Sequence, residues 1–170
     1  PVQQVLTEVL PALVRALAFP RPMRWGNREI KFVRPIRWLL AVFGSEVIPF
    51  ELEGIKSDRY TFGHRFLAPG PFAVSDLAEY LDCLKNAYVM LSPQERQSVI
   101  KAQGEDLAKE VGGRVLWTED LLTEVTFLVE YPTALIGSFD PEYLVLPSDV
   151  IVTPMKDHQR YFPVVNQEGE

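Results

Sequence analysis

The sequence predicts a mixed α/β (α+β) fold, a mixed sheet with flanking helices. Three observations lead there. The 170 residues are 47% hydrophobic and 24% charged, which suits one globular domain spanning residues 1–170 with a sizeable core. Helical and extended patterns are interspersed along the chain. They lack the regular strand–helix–strand rhythm of a dinucleotide-binding domain, and no internal repeat or low-complexity tract divides them.

Residues 2–18 read as an amphipathic helix, because Val5, Leu6, Val9, Leu10, Leu13, Val14 and Leu17 recur at helical spacing. Pro11 predicts a kink or a second start near Leu10, and Pro20 with Pro22 ends the helix. Residues 30–43 read as extended, with Ile36–Phe43 a buried strand. Gly44-Ser45 is the hairpin turn and Glu46–Glu53 the returning strand, which Pro49 confines to an edge or a bulge. Arg59–Phe66 is short, aromatic and extended, and Pro69-Gly70-Pro71 is a loop. Ser75 is expected to cap a helix running to about Lys85, with a short strand at Tyr88–Leu91. Ser92-Pro93-Gln94-Glu95 opens a longer helix that stops at Gly112-Gly113. A helix over Glu119–Val129, a strand over Thr133–Phe139, a helix from Ser148-Asp149 disturbed by Pro154, and a strand over Arg160–Val165 complete the pattern. The last five residues look like a turn leaving a strand, so the chain reads as a piece of something longer.

Composition excludes several function classes. The single cysteine, Cys83, allows neither an intrachain disulfide nor a cysteine-rich zinc site, and a lone thiol suits a reducing compartment. No apolar run reaches the roughly 18 residues that a membrane helix needs. Phosphate-loop, dinucleotide, zinc-protease and nucleophile-elbow motifs are absent, and only His64 and His158 supply imidazole. The net charge of −6 is unevenly distributed. Residues 1–66 hold ten Lys and Arg against six Asp and Glu, whereas the remainder holds seven against seventeen. The first part suits a polyanion and the second repels one.

Three segments carry candidate chemistry. Arg21–Trp38 contains six basic residues and one acid, interleaved with Trp25, Phe32 and Trp38. Guanidinium groups bind phosphates and stack on bases, and aromatic rings offer platforms for unpaired nucleotides. The alternative is a set of core aromatics with surface charges or internal ion pairs. Tyr60–Phe66 places Gly63 before His64, a tight backbone position next to an imidazole that is either a phosphate donor, a general base or a structural group. Met155–Phe162 gathers Lys156, His158 and Arg160, with Lys156 and Arg160 on one face if the segment is helical. It reads equally as a ligand site or as a helix end with favourable cations.

In this order and spacing the segments resemble the bacterial glycyl-tRNA synthetase beta subunit. The resemblance rests on Met23-Arg24-Trp25-Gly26, Phe32-Val33-Arg34-Pro35-Ile36-Arg37-Trp38 and Gly63-His64-Arg65-Phe66. It continues through Leu128–Pro132, Gly137–Asp140 and Met155–Phe162. The resemblance implies part of a two-subunit-type glycine–tRNA ligase, a cytoplasmic α2β2 heterotetramer that aminoacylates glycine tRNA in protein synthesis. ATP and Mg serve the alpha-subunit active site, and this portion carries no cofactor, metal or catalytic residue of its own. Its fold is expected to be similar to the editing-type domain of the phenylalanyl-tRNA synthetase beta subunit. Its expected work is acceptor-arm handling and assembly, with neither DNA nor membrane as partner. Editing-type hydrolysis of mischarged tRNA and a purely structural interface are the alternatives. The candidate RNA contacts are Arg24, Arg28, Lys31, Arg34, Arg37, Trp38, His64, Arg65, Lys156, His158 and Arg160.

Overall fold

Helix α1, Val2–Ala16, forms where apolar spacing predicts it and runs through Pro11 as one element. It forgoes only the bond that residue 11 would have made to the carbonyl of Thr7. The computed structural model describes residues 2–166, 168 and 169, which fall into two compact units divided after Tyr88. The expected terminal turn includes Gln167 and Glu170, which lie outside the described residues.

The first unit is built from short ladders. β1 (Met23–Arg24) and β2 (Lys31–Phe32) form an antiparallel hairpin. The predicted strand Ile36–Phe43 is split into β3 (Leu39–Leu40) and β4 (Val42–Phe43). The reason is a change of partner at Ala41. β3 pairs in parallel with β7 (Ile55–Asp58), whereas β4 pairs with β5 (Glu46–Val47). The Ala41 N–H donates to the Asp58 carbonyl, and the Ala41 carbonyl accepts from Ile48. The turn at Gly44-Ser45 is realised, with Gly44 at φ +61°.

The predicted return over Glu46–Glu53 is interrupted at Pro49 and resumes as β6 (Glu51–Leu52). Pro49 has no N–H, and a side chain supplies the missing stitch. The Ser57 hydroxyl accepts from Phe50 N–H at 2.8 Å and donates to the Ile48 carbonyl at 2.7 Å. β6 then turns antiparallel into β7 through Glu53-Gly54, both at positive φ (+52° and +82°), a hairpin that the sequence reading did not separate. The β3-β7-β6 sheet is therefore mixed, as predicted. β8 (Tyr60–Thr61) pairs with β9 (Phe72–Ala73). The unit closes with α2 (Leu77–Asn86) over a core of Ile48, Leu52, Val74, Leu84 and Ala87. The cap of α2 is Asp76 rather than Ser75. Its carboxylate accepts from Glu79 N–H at 2.9 Å, and Glu79 accepts in return from Ser75 N–H at 2.7 Å.

The second unit holds α3 (Pro93–Glu110), capped by Ser92 as predicted and stopped at Gly112, φ +73°. α4 (Glu119–Leu128) follows, and its Leu121, Leu122 and Thr126 meet Ile100 and Ala108 of α3 in the core. β10 (Arg114–Val115) pairs antiparallel with β11 (Val164–Val165), so the predicted final strand is confined to its last two residues. The predicted strands at Tyr88–Leu91 and Thr133–Phe139 do not form. Tyr88 has φ +57°, which no extended ladder accepts, and Met90 N–H instead bonds the Glu130 carbonyl. Ala134 N–H is taken by the Gln103 side chain at 2.8 Å. α5 (Ser148–Thr153) leads into a wider, π-type turn at Pro154–His158. Among the described residues the result is a mixed α/β arrangement with five α-helices and small sheets. Among the described residues no helix is long and apolar enough to cross a membrane.

Candidate nucleic-acid interface

Ladder register decides which basic side chains meet. In the β1–β2 hairpin Arg24 lies directly opposite Lys31, so both side chains leave the same face. The turn between them is set by Gly26 at φ +59° and closed by Arg28 N–H on the Trp25 carbonyl. Glu29 N–H donates to the Glu53 carboxylate at 3.2 Å, which ties this hairpin to the β6–β7 turn. Like charges directly across a ladder are unfavourable. Both side chains are exposed, and among the described residues neither forms an ion pair.

The other cations of the segment divide by role. Arg28 is half-buried and donates from Nη1 to the Ile36 carbonyl at 3.2 Å, so it fixes the loop that carries Arg34 and Arg37. Arg34 and Arg37 are exposed and have no ion pair among the described residues. Trp38, 42% exposed, lies with its ring 4.6 Å from that of Phe62 at a tilt of 49°. This is a packed aromatic pair with one partly open face.

His64 acts on its own turn. Its N–H donates to the Ala87 carbonyl at 2.8 Å, and its Nδ1 accepts from the N–H groups of Phe66 (3.3 Å) and Leu67 (3.2 Å). An accepting Nδ1 leaves the proton of a neutral ring on Nε2. The preceding Gly63 is obligatory, because a Cβ there would sit 2.4 Å from that of Ala87 and 2.8 Å from two carbonyl oxygens. The turn pushes Phe66 into solvent, 82% exposed, with the Arg65 guanidinium 5.9 Å from its ring centre. Phe66 was not among the candidate contacts. Its signal was an aromatic next to an arginine inside a turn that a glycine makes tight.

The remaining candidates lie in the second unit. The segment after Thr153 is not a regular helix, so Lys156 and Arg160 do not share a helical face, and Arg160 has φ +60°. Arg160 donates from Nε to Glu124 of α4 at 2.6 Å and from Nη1 to the Asp157 carbonyl. It pins the chain beyond the wide turn. Lys156 is half-buried and His158 exposed on that turn.

The family model described as glycyl-tRNA synthetase beta subunit matches residues 1–170. The chain belongs to that family. It is 57% identical over 170 residues to the glycine–tRNA ligase beta subunit of Moorella thermoacetica, covering all of this chain and 24% of that protein. With the glycine–tRNA ligase beta subunit of Desulforamulus reducens it shares 52% over 170 residues, again 100% and 24%. With that of Clostridioides difficile it shares 46% over 164 residues, 96% and 24%. The chain thus spans about a quarter of the length of the beta subunits it matches.

Proposed function

We propose that this portion of the beta subunit holds tRNA by its backbone near the acceptor arm, within a glycine–tRNA ligase whose ATP- and Mg-dependent site lies in a separate alpha subunit. The observation that carries this reading is the Arg24–Lys31 pair, two exposed like charges held face to face with no ion pair to either among the described residues. A protein tolerates such a pair more readily when an anion bridges it, and a phosphate diester is the anion a tRNA offers. Arg34 and Arg37 extend the cationic face, and Trp38, Arg65 and Phe66 add rings and a guanidinium for stacking on unpaired bases. Arg28, His64 and Arg160 serve as positioning groups, each bound to backbone or to Glu124. Lys156 and His158 are secondary candidates on a separate element. The working assembly is a cytoplasmic α2β2 complex, and this portion alone is catalytically silent.

Titration of labelled glycine tRNA with the beta subunit, followed by fluorescence anisotropy at two salt concentrations, tests the reading. Binding that weakens steeply with salt supports a phosphate-contact face. Salt-independent binding, or none at low salt, sinks it.

A further inference from the structure

Within the first unit, the end of α1, the β1–β2 hairpin and the Glu53-Gly54 turn line one open cleft of about 460 Å³. That lies in the roughly 300–1,000 Å³ range of sites that hold small molecules. Part of the lining is apolar. It includes Ile30 and Phe19, whose ring is held edge-on against Phe32 with centroids 4.7 Å apart at 68°. The rest is charged, with Arg15 and Lys31 supplying cations and Glu29 and Glu53 carboxylates. Among the described residues none of these four forms an ion pair, with each other or elsewhere. Both signs therefore remain available to an occupant. Glu53 is fixed in the β6–β7 turn, where one carboxylate oxygen accepts from Glu29 N–H at 3.2 Å. A carboxylate only accepts, so what its other oxygen takes from an occupant is an N–H or O–H group.

These groups specify the chemistry of the occupant. A flat ring suits Phe19, an anion suits Arg15 and Lys31, and an amino group suits Glu53. An unpaired nucleotide offers all three when its base carries an exocyclic amine. A further apolar protein segment in the cleft would instead bury four charges without partners, which is costly. Lys31 also belongs to the Arg24–Lys31 pair, so a strand held there by its phosphates has the cleft beside it. We infer that this cleft takes one unpaired nucleotide of the bound tRNA. Its phosphate lies on Arg15 and Lys31, its base against Phe19, and its exocyclic amine on Glu53. The inference rests on the phosphate-contact reading above and adds a base subsite with a stated selectivity.

Cytidine and uridine 5′-monophosphate test it, because their bases differ by an amino group against a carbonyl oxygen. In equilibrium dialysis against the full-length beta subunit, cytidine monophosphate is expected to bind roughly fivefold more tightly or better. E53Q keeps an acceptor for Glu29 N–H but adds a donor, so it should bring the two affinities together. R15Q should weaken both nucleotides to the same degree. Equal affinities in the unaltered subunit overturn the subsite, and so does a preference that survives E53Q. If neither nucleotide binds while glycine tRNA still binds with a steep salt dependence, the subsite is overturned and the phosphate-contact reading stands. If glycine tRNA itself fails to bind at low salt, both fall.

Discussion

Replacing Lys31 with Gln sets fold stability against RNA binding, because the Arg24–Lys31 pair is predicted to harm one and serve the other. The register puts the two Cβ atoms about 5 Å apart, and extended side chains separate the charges to about 7 Å. At that distance the repulsion is about 0.6 kcal/mol in water-like surroundings, and physiological salt reduces it to about 0.3 kcal/mol. K31Q should therefore stabilise the unliganded beta subunit slightly, shifting its melting temperature up by about 1 °C or less. Removing one phosphate contact should flatten the slope of log affinity against log salt by about 0.7–0.9, a five- to eightfold loss near 0.1 M. R24Q should behave the same way. The double variant should regain no further stability, since one substitution already relieves the repulsion. Anisotropy titrations across a salt series and a thermal melt provide both readouts. An unchanged salt slope in K31Q and R24Q would refute the phosphate-contact argument whatever the melts show.

Arg96 donates to the carbonyls of Thr126, Met90 and Leu91, tying the end of α4 to the start of α3. R96A should cost roughly 2–4 kcal/mol in denaturant melts, because partly buried acceptors lose a charged donor. G63A forces a Cβ against Ala87 and two carbonyls and should cost about 1–3 kcal/mol. It should also release the His64 turn, visible as faster amide exchange at Phe66 and Leu67. Burial pushes the Cys83 thiol above its ordinary range, and the Glu79 carboxylate one turn earlier adds to this. The thiolate fraction is therefore reduced at neutral and mildly alkaline pH, and Cys83 should alkylate more slowly than a free thiol. E79Q should move the alkylation midpoint to lower pH without restoring the ordinary value, since burial remains.

Where one local rule acts alone, the sequence could be read. The Ser92 cap, the Gly112 stop and the Gly44-Ser45 turn each depend on a single residue's geometry, and each lies where expected. Legibility failed where two partners competed for one segment. Ile36–Phe43 reads as a single apolar strand, yet the chain changes partner at Ala41, and an apolar run carries no sign of which ladder it joins. Glu53-Gly54 was hidden because a Glu at positive φ is uncommon, although the glycine after it was a cue. At the candidate interface, spacing showed that cations and rings are interleaved. It did not show that Arg28 and Arg160 are engaged by backbone and carboxylate while Arg24 faces Lys31, because that depends on register and on groups up to 36 residues away.

The overall charge of −6 does not oppose an anion-binding face. Fields from exposed groups decay over about 8 Å at physiological ionic strength, so a phosphate at Arg24 and Lys31 responds mainly to its immediate neighbours. Within residues 21–38 four further cations accompany that pair, against Glu29 in the same segment and Glu53, whose carboxylate accepts from Glu29 N–H at 3.2 Å. The excess of carboxylates lies later in the chain, including the stretch from Val115 to Met155 that has no cation at all. With this partition the proposed phosphate contact at Arg24 and Lys31 is not opposed by the carboxylates that lie later in the sequence. The local sign of the surface, not the total, then sets whether a phosphate is attracted at that segment.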